Sequence, residues 1–292
     1  MKPKLLLALT GMLVLTGCHE GKPPAPSEAV VKREWLSTPA LPIIQDAVFT
    51  LSPTFRGERN PAMMQQVCGL ARGELKQEQV NAFLAQQKID TSRLAKGSIL
   101  SLLVNGDKAA QATACAAYLA TTVLSTVDAS EFMTATAAPS ADDKTTEKPT
   151  TWQIDNARLN VSLPIKLAEA RANAEVFALI AAELQRRPGL TVQAYRDEAR
   201  QLFSRLAPAY LERIKQSLPP AGTTYKLVRL DGDGFVFNSS RGSRFEYTSD
   251  GLRLWQNGIL WYGEGKLLGQ EYPLQVTYFT EAVNELLAPG KK

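Results

Sequence analysis

Turn dipeptides recur in the last quarter of the chain with a regularity that few folds accommodate. Asp233-Gly234, Arg241-Gly242, Asp250-Gly251 and Asn257-Gly258 follow one another at intervals of 8, 9 and 7 residues. That spacing is the repeat of an antiparallel meander, with short strands joined by tight hairpin turns. The intervening runs FVFNSS, RFEYT, LRLWQ and ILWYG alternate as strands do when one face meets a core and the other meets water. Residues 225–279 also hold 11 of the 22 aromatic residues. The simplest expectation is a sheet whose ring-bearing face is covered by helices from upstream, with a short amphipathic helix over residues 280–287.

Before Gly222 the period changes. Residues 60–127 read as helical. Asn60-Pro61 fits a cap followed by proline at the first helical position. Met64, Val67, Cys68, Ala71 and Leu75 then recur at helical spacing, and Val80, Phe83 and Leu84 mark a second helix. Thr91 or Ser92 would cap a third helix running to Leu103. After the Asn105-Gly106-Asp107 turn, a last helix aligns Ala112, Cys115, Tyr118, Leu119, Thr122 and Thr126. Residues 134–151 (TATAAPSADDKTTEKPTT) lack aromatic and large aliphatic side chains and read as a low-complexity linker.

A long helix is expected over residues 162–187, with Ile165, Ala168, Ala172, Val176, Leu179 and Ile180 on its period and Arg187-Pro188-Gly189 as its stop. Thr191 caps the next helix, whose buried stripe is Val192, Tyr195, Ala199, Leu202, Leu206 and Tyr210. Pro208 should kink or restart it, and the pair forms an antiparallel hairpin. The fold class is therefore α+β. A helical region (49–133), a linker (134–151) and a helical hairpin (152–221) precede an antiparallel sheet with a terminal helix (222–292).

The opening of the chain reads as an address. Lys2 and Lys4 precede an apolar run over residues 5–15. That run is shorter than the roughly 20 residues of a bilayer span but suits the core of a secretory signal over residues 1–17. Leu15-Thr16-Gly17-Cys18 resembles the bacterial lipobox. The resemblance implies cleavage after Gly17 and acylation of Cys18. With His19 rather than aspartate in the next position, it also implies transfer to the outer membrane, on the periplasmic face. Three acyl chains, at about 0.8 kcal/mol per buried CH₂, hold far more firmly than one. The alternative is an ordinary signal peptide with a chance cysteine. Residues 18–48, proline-rich and charged at their start, read as a tether, and residues 49–56 as a short strand or docking segment.

An oxidising compartment bears on the other two cysteines. Cys68 and Cys115 each fall on an apolar helical face, so a disulfide between them would staple two helices and close 47 residues. Two buried free thiols are the alternative.

Charge and motif content exclude several functions. Without Lys2 and Lys4 the formal net charge falls from +4 to +2, too balanced for a nucleic-acid partner. One histidine, His19, builds neither a catalytic triad nor a multi-histidine metal site. No G-x-S-x-G, Walker loop or H-E-x-x-H occurs. Asp231-Gly232-Asp233-Gly234 begins like a calcium loop, but residues 235–242 supply no bidentate glutamate, which favours a hairpin turn. Asp142-Asp143 lies in the polar linker, and Glu183 and Glu198 sit on helices without an evident partner. No catalytic residue, cofactor or metal is assigned, although a two-carboxylate hydrolase stays open.

Residues 242–258 (GSRFEYTSDGLRLWQNG) resemble the signature of membrane-bound C-type lysozyme inhibitors. Those small β-barrel lipoproteins carry a Gly-x-[Arg/Lys]-aromatic run and then a Trp-x-Lys-Gly turn. Gly242, Arg244, Phe245, Trp255 and Gly258 fit. The family's serine before the first glycine and lysine before the second contact the lysozyme active site, and here those positions are Arg241 and Asn257. The resemblance implies a β-barrel-like unit and a partner contact through Arg241, Arg244 and Asn257. Trp255, Trp261 and Tyr262 straddle the Asn257-Gly258 turn, where an exposed aromatic cluster would suit a protein or glycan. The alternative is an unrelated meander whose aromatics are core. The expected function is a non-catalytic, lipid-anchored envelope protein that binds or scaffolds a periplasmic partner, a protein or a peptidoglycan-associated one. Lysozyme inhibition through residues 225–279 and envelope hydrolysis are the alternatives.

Overall fold

Helices come first and the sheet last. The computed structural model describes residues 34–91, 94–95, 98–125, 129–137 and 150–278. The leader, Cys18, His19, Asp142-Asp143 and the expected terminal helix lie outside the described residues. Strand β1 (Glu34–Pro39) leads into helix α1 (Ala40–Phe49), which buries Leu41, Ile43, Ile44, Ala47 and Val48. The tether expected over residues 18–48 therefore does not extend through its second half. Its prolines Pro39 and Pro42 mislead, because proline is tolerated in the first helical turn, and the apolar positions behind them have helical spacing. Phe49 ends α1 instead of opening a strand, and Phe55 and Glu58 form only an isolated bridge.

Helix α2 (Pro61–Arg72) starts where Asn60 Oδ1 accepts the Met63 amide at 3.1 Å and stops at Gly73, φ 71°. Helices α3 (Gln77–Gln86) and α4 (Ile99–Val104) follow, with Ser98 rather than Thr91 or Ser92 capping α4. Helix α5 (Lys108–Leu124) is capped by Asp107. Cys68 of α2 and Cys115 of α5 are bonded, with an S–S length of 2.01 Å and Cα atoms 5.0 Å apart.

A 3-10 turn (Ala129–Phe132) precedes β2 (Met133–Ala137), which pairs antiparallel with β3 (Thr150–Ile154). The two ends of the expected linker are thus strands of a hairpin. It is also no domain boundary, since one apolar core continues from α1 through α5 and the later helices to the sheet. Helix α6 (Asn156–Gln185) begins six residues before its expected start, because Asp155 Oδ1 accepts the amides of Ala157 and Arg158 at 3.0 and 3.1 Å. Pro164 lies inside it. Every residue from Lys166 to Ala170 is buried, so α6 is enclosed on all sides over this turn. Ile165 and Leu179, expected on its buried stripe, are 43% and 59% exposed. Helix α7 (Val192–Gln216) packs along α6 and runs through the exposed Pro208 without restarting.

Strands β4 (Tyr225–Asp231), β5 (Gly234–Ser239), β6 (Ser243–Thr248), β7 (Gly251–Gln256), β8 (Ile259–Gly263), β9 (Lys266–Leu267) and β10 (Gln270–Glu271) form one antiparallel meander in sequence order. All four turn dipeptides fall at strand junctions. The edges β4 and β10 do not pair with each other, so the sheet is open where the family resemblance implied a barrel-like unit. Strand β11 (Pro273–Tyr278) leaves the meander and pairs with β1, from Pro39 opposite Pro273 to Glu34 opposite Tyr278. The architecture is α+β.

The inner face of the meander is made of rings. Phe132 stands edge-on to Phe235 and Phe237 at 5.5 and 5.8 Å, and Phe235 stacks on Tyr247 at 5.6 Å. Tyr247 donates to the Val123 carbonyl of α5 at 3.1 Å. Such pairs add about 1 kcal/mol each beyond their buried area. Alternation leaves Arg244, Glu246 and Arg253 on the opposite face.

Candidate partner-binding site

Two hairpin tips lie side by side at one end of the meander. The β5–β6 turn presents Arg241 and Gly242, and the β7–β8 turn presents Asn257 and Gly258, all four exposed. The Asn257 amide donates to the Gly242 carbonyl at 2.9 Å. Asn257 and Gly258 hold φ of 50° and 81°, the left-handed pair that a tight Asn-Gly hairpin turn requires. Gly242 has φ 78°, and a Cβ there would collide with Asn257 Oδ1. Ser239 Oγ accepts the amides of Arg241 and Ser243 at 3.3 and 3.0 Å. The first tip is therefore stiff, with its Arg241 side chain projecting from a fixed base.

An arginine from the helical layer supports the tips from below. Arg171 of α6 donates through Nη2 to Ser243 Oγ at 2.9 Å and to Gln256 Oε1 at 2.7 Å, residues that face each other across β6 and β7. Ser243 Oγ closes the triangle by donating to Gln256 Oε1 at 3.1 Å. Among the described residues no carboxylate pairs with Arg171, and Glu175, one turn on, is engaged by Arg213 at 2.7 Å. Partial burial lowers the Arg171 pKa, opposed by Tyr225 and Glu175. Burial raises the Tyr225 hydroxyl, against the pull of Arg171.

The outer face beside the tips is polar. Arg244 lies opposite Trp255 in register and binds Glu246 at 2.5 Å. Arg253 pairs with Glu264 and approaches Asp250 at 3.8 Å and Glu246 at 3.9 Å. Arg244, Glu246, Asp250, Arg253 and Arg229 line a cleft of about 490 Å³ that extends to the opposite end of the meander at Asp233 and Ser249.

Of the six contact residues expected from sequence, Arg241 and Asn257 share the tip, and Arg244 and Trp255 share the outer face. Trp261 is half-buried and packs against the core. Tyr262 is fully buried, with its ring 6.5 Å from Phe177, so it is removed from any contact surface. Its hydroxyl lies toward Gln45 and Asn173 without a hydrogen bond of ordinary geometry, and burial raises its pKa far above the usual phenol. The register shift between Leu254 and Trp255 sets Tyr262 opposite the buried Leu254, which the turn spacing alone does not foresee. Arg171 was missed altogether. Its only cue is a cation set between two buried alanines, Ala170 and Ala172.

The candidate acids are otherwise occupied. Arg187 joins Glu183 and Glu198, at 3.5 and 3.0 Å. Asp231 Oδ1 accepts the Asp233 amide at 2.9 Å within the β4–β5 turn. Among the described residues no three His, Cys, Asp or Glu side chains converge as metal ligands. One acid is unusual. Glu169 of α6 is buried between Lys166 and Tyr210, and desolvation pushes its carboxyl up to about 7 although Lys166 and Arg72 pull it down. Lys166 itself reaches outward to Glu131 at 3.1 Å. One turn further, Asn173 accepts from Tyr210 at 2.7 Å.

No protein-family model, curated protein or solved structure matches the chain. The fold and the site are therefore described from their own geometry as an α+β chain bearing a helix-supported meander tip. No helix among the described residues is long and apolar enough to cross a membrane.

Proposed function

We propose that this chain is a non-catalytic, lipid-anchored cell-envelope protein. It binds a periplasmic partner protein through the tips and outer face of its C-terminal meander. The observation that carries the reading is the pair of abutting tips, Arg241-Gly242 and Asn257-Gly258, pinned to each other and supported by Arg171. A rigid projection with exposed polar groups suits recognition, because little conformational freedom is lost on binding. The lipobox-like Leu15-Thr16-Gly17-Cys18 supports the anchor and the outer-membrane location.

The test places a photocrosslinking residue at Arg241, at Asn257 and at Leu179, a control exposed on α6. One shared adduct from the first two positions and none from the third is expected in intact envelopes. Adducts from all three, or from none, would defeat the reading. Independently, Cys18→Ser should abolish acyl labelling and release the chain from the membrane fraction.

A second reading, lysozyme inhibition, is favoured by the tip positions themselves, because they are where the resemblance places the inhibitory residues. Lysis of cells by a C-type lysozyme should then slow at stoichiometric protein, and less so with Arg241→Ala. Undiminished lysis in excess protein eliminates it.

A further inference from the structure

We propose that a cleft on α7, lined by Arg187, Arg200, Gln201, Ser204 and Arg205, binds a phosphate monoester group. The cleft holds about 620 Å³, a volume in the range of small-ligand sites. Helical spacing builds it. Gln201 and Arg205 are one turn apart on one face of α7, with Glu198 on the same side a turn earlier. Arg187 arrives from the α6–α7 connection, where Tyr195 donates to its carbonyl at 2.9 Å.

The lining is almost wholly donor in character. Three guanidinium groups, one amide and one hydroxyl face a single carboxylate, Glu198, which Arg187 already engages at 3.0 Å. Two of the arginines are held in place. Arg187 is also bound by Glu183 at 3.5 Å, and Arg200 is bound by Asp197 and donates to Thr50 Oγ1 at 3.3 Å. Arg205 differs: among the described residues it has neither an ion pair nor a hydrogen bond. Ten other arginines of the described chain, Arg187 and Arg200 included, carry ion pairs. The cleft therefore combines two preorganised guanidinium groups, whose charges Glu183, Glu198 and Asp197 offset, with one, Arg205, that lacks a counter-ion. A phosphate monoester carries roughly −1.5 to −2 at pH 7 and offers three acceptor oxygens, which match the donors and supply the counter-ion that Arg205 lacks. Guanidinium forks suit such oxygens better than ammonium groups do. The group could be borne by a soluble phosphoester or by a lipid such as phosphatidic acid, and the chemistry recognised is the same.

The inference uses none of the meander residues and stands apart from the partner-binding reading. The test titrates the purified protein with inorganic phosphate by calorimetry and, in a second arm, measures its sedimentation with phosphatidylcholine vesicles with and without phosphatidic acid. Saturable binding is expected to one or both probes. Arg205→Ala should weaken it by about tenfold, the size of a lost charge-assisted pair, with an unchanged melting temperature. Lys226→Ala, another exposed cation, should leave it unaltered. Binding should also weaken below pH 6, where the phosphate gains a proton. Binding of inorganic phosphate assigns the site to soluble phosphoesters, and binding of phosphatidic acid vesicles alone assigns it to a headgroup. No saturation with either probe at millimolar phosphate, or equal weakening by Arg205→Ala and Lys226→Ala, overturns the proposal.

Discussion

The long helix α6 and the meander cover the same core, yet they sort polar residues in opposite ways. The sheet places Phe235, Phe245 and Tyr247 on one face and Arg244, Glu246 and Arg253 on the other. Helix α6 buries Lys166, Glu169 and Asn173 among its alanines. The difference follows from period. A strand has two faces that never mix, so one can be wholly apolar. A helical turn enclosed all round, as α6 is from Lys166 to Ala170, offers its polar side chains no solvent face. Each must then find a partner, as Asn173 does in Tyr210, reach out, as Lys166 does to Glu131, or hold a proton, as Glu169 does.

That contrast can be broken from the sheet side first. Phe235→Ala removes the ring that touches Phe132, Phe237, Phe245 and Tyr247. It should cost about 4 kcal/mol in urea unfolding, the usual range for a buried ring. A loss under about 1 kcal/mol would mean the rings are not a shared core.

The helical layer has a covalent counterpart. Replacing Cys68 and Cys115 together by alanine releases a loop closed over 47 residues and should cost a similar amount, about 4 kcal/mol on the loop-entropy account. Full stability under reducing conditions would show the staple to be idle.

Glu169 sharpens the comparison through pH. Its folded carboxyl titrates near 7 against an ordinary 4.5, so the native state binds the proton more tightly than the unfolded chain. Stability from this group is fully present below 4.5 and is lost as pH rises to about 7. The loss amounts to about 3 kcal/mol. Glu169→Gln should remove that slope, so its melting temperature exceeds the parent's above pH 7 and the gap closes toward pH 4. A gap that stays constant with pH would contradict a buried, proton-holding acid.

The smallest effect is expected at the tips. Gly242→Ala forces a Cβ onto φ 78° and into Asn257 Oδ1. It should cost about 2 kcal/mol and abolish the crosslinks from both Arg241 and Asn257. Retained crosslinks would separate recognition from tip geometry.

Much of the architecture was legible because its causes are local. The meander followed from four glycine turns and alternating strands, the helix starts at Asn60 and Thr191 from capping side chains, and the start of α5 from the Asn105-Gly106-Asp107 turn, whose last residue is its cap. The errors also have physical reasons. The α1 segment was hidden behind prolines that a first helical turn accepts. The long helix was read from residue 162, where its apolar period becomes regular, although the Asp155 cap starts it at Asn156 and Pro164 forfeits one hydrogen bond inside it without ending it. Tyr262 was counted in a candidate exposed cluster beside the Asn257-Gly258 turn, and a register shift sets it opposite the buried Leu254.

By itself the sequence determined the periods, the turns, the caps and the order of helices before sheet, since each depends on residues within a few positions of one another. Only the tertiary structure decided that β1 closes against β11, that Arg171 supports tips some 70 to 85 residues further along the chain, and that Glu169 keeps its proton near neutrality. Those outcomes depend on which distant surfaces exclude water from a side chain, and no local pattern of residues encodes that.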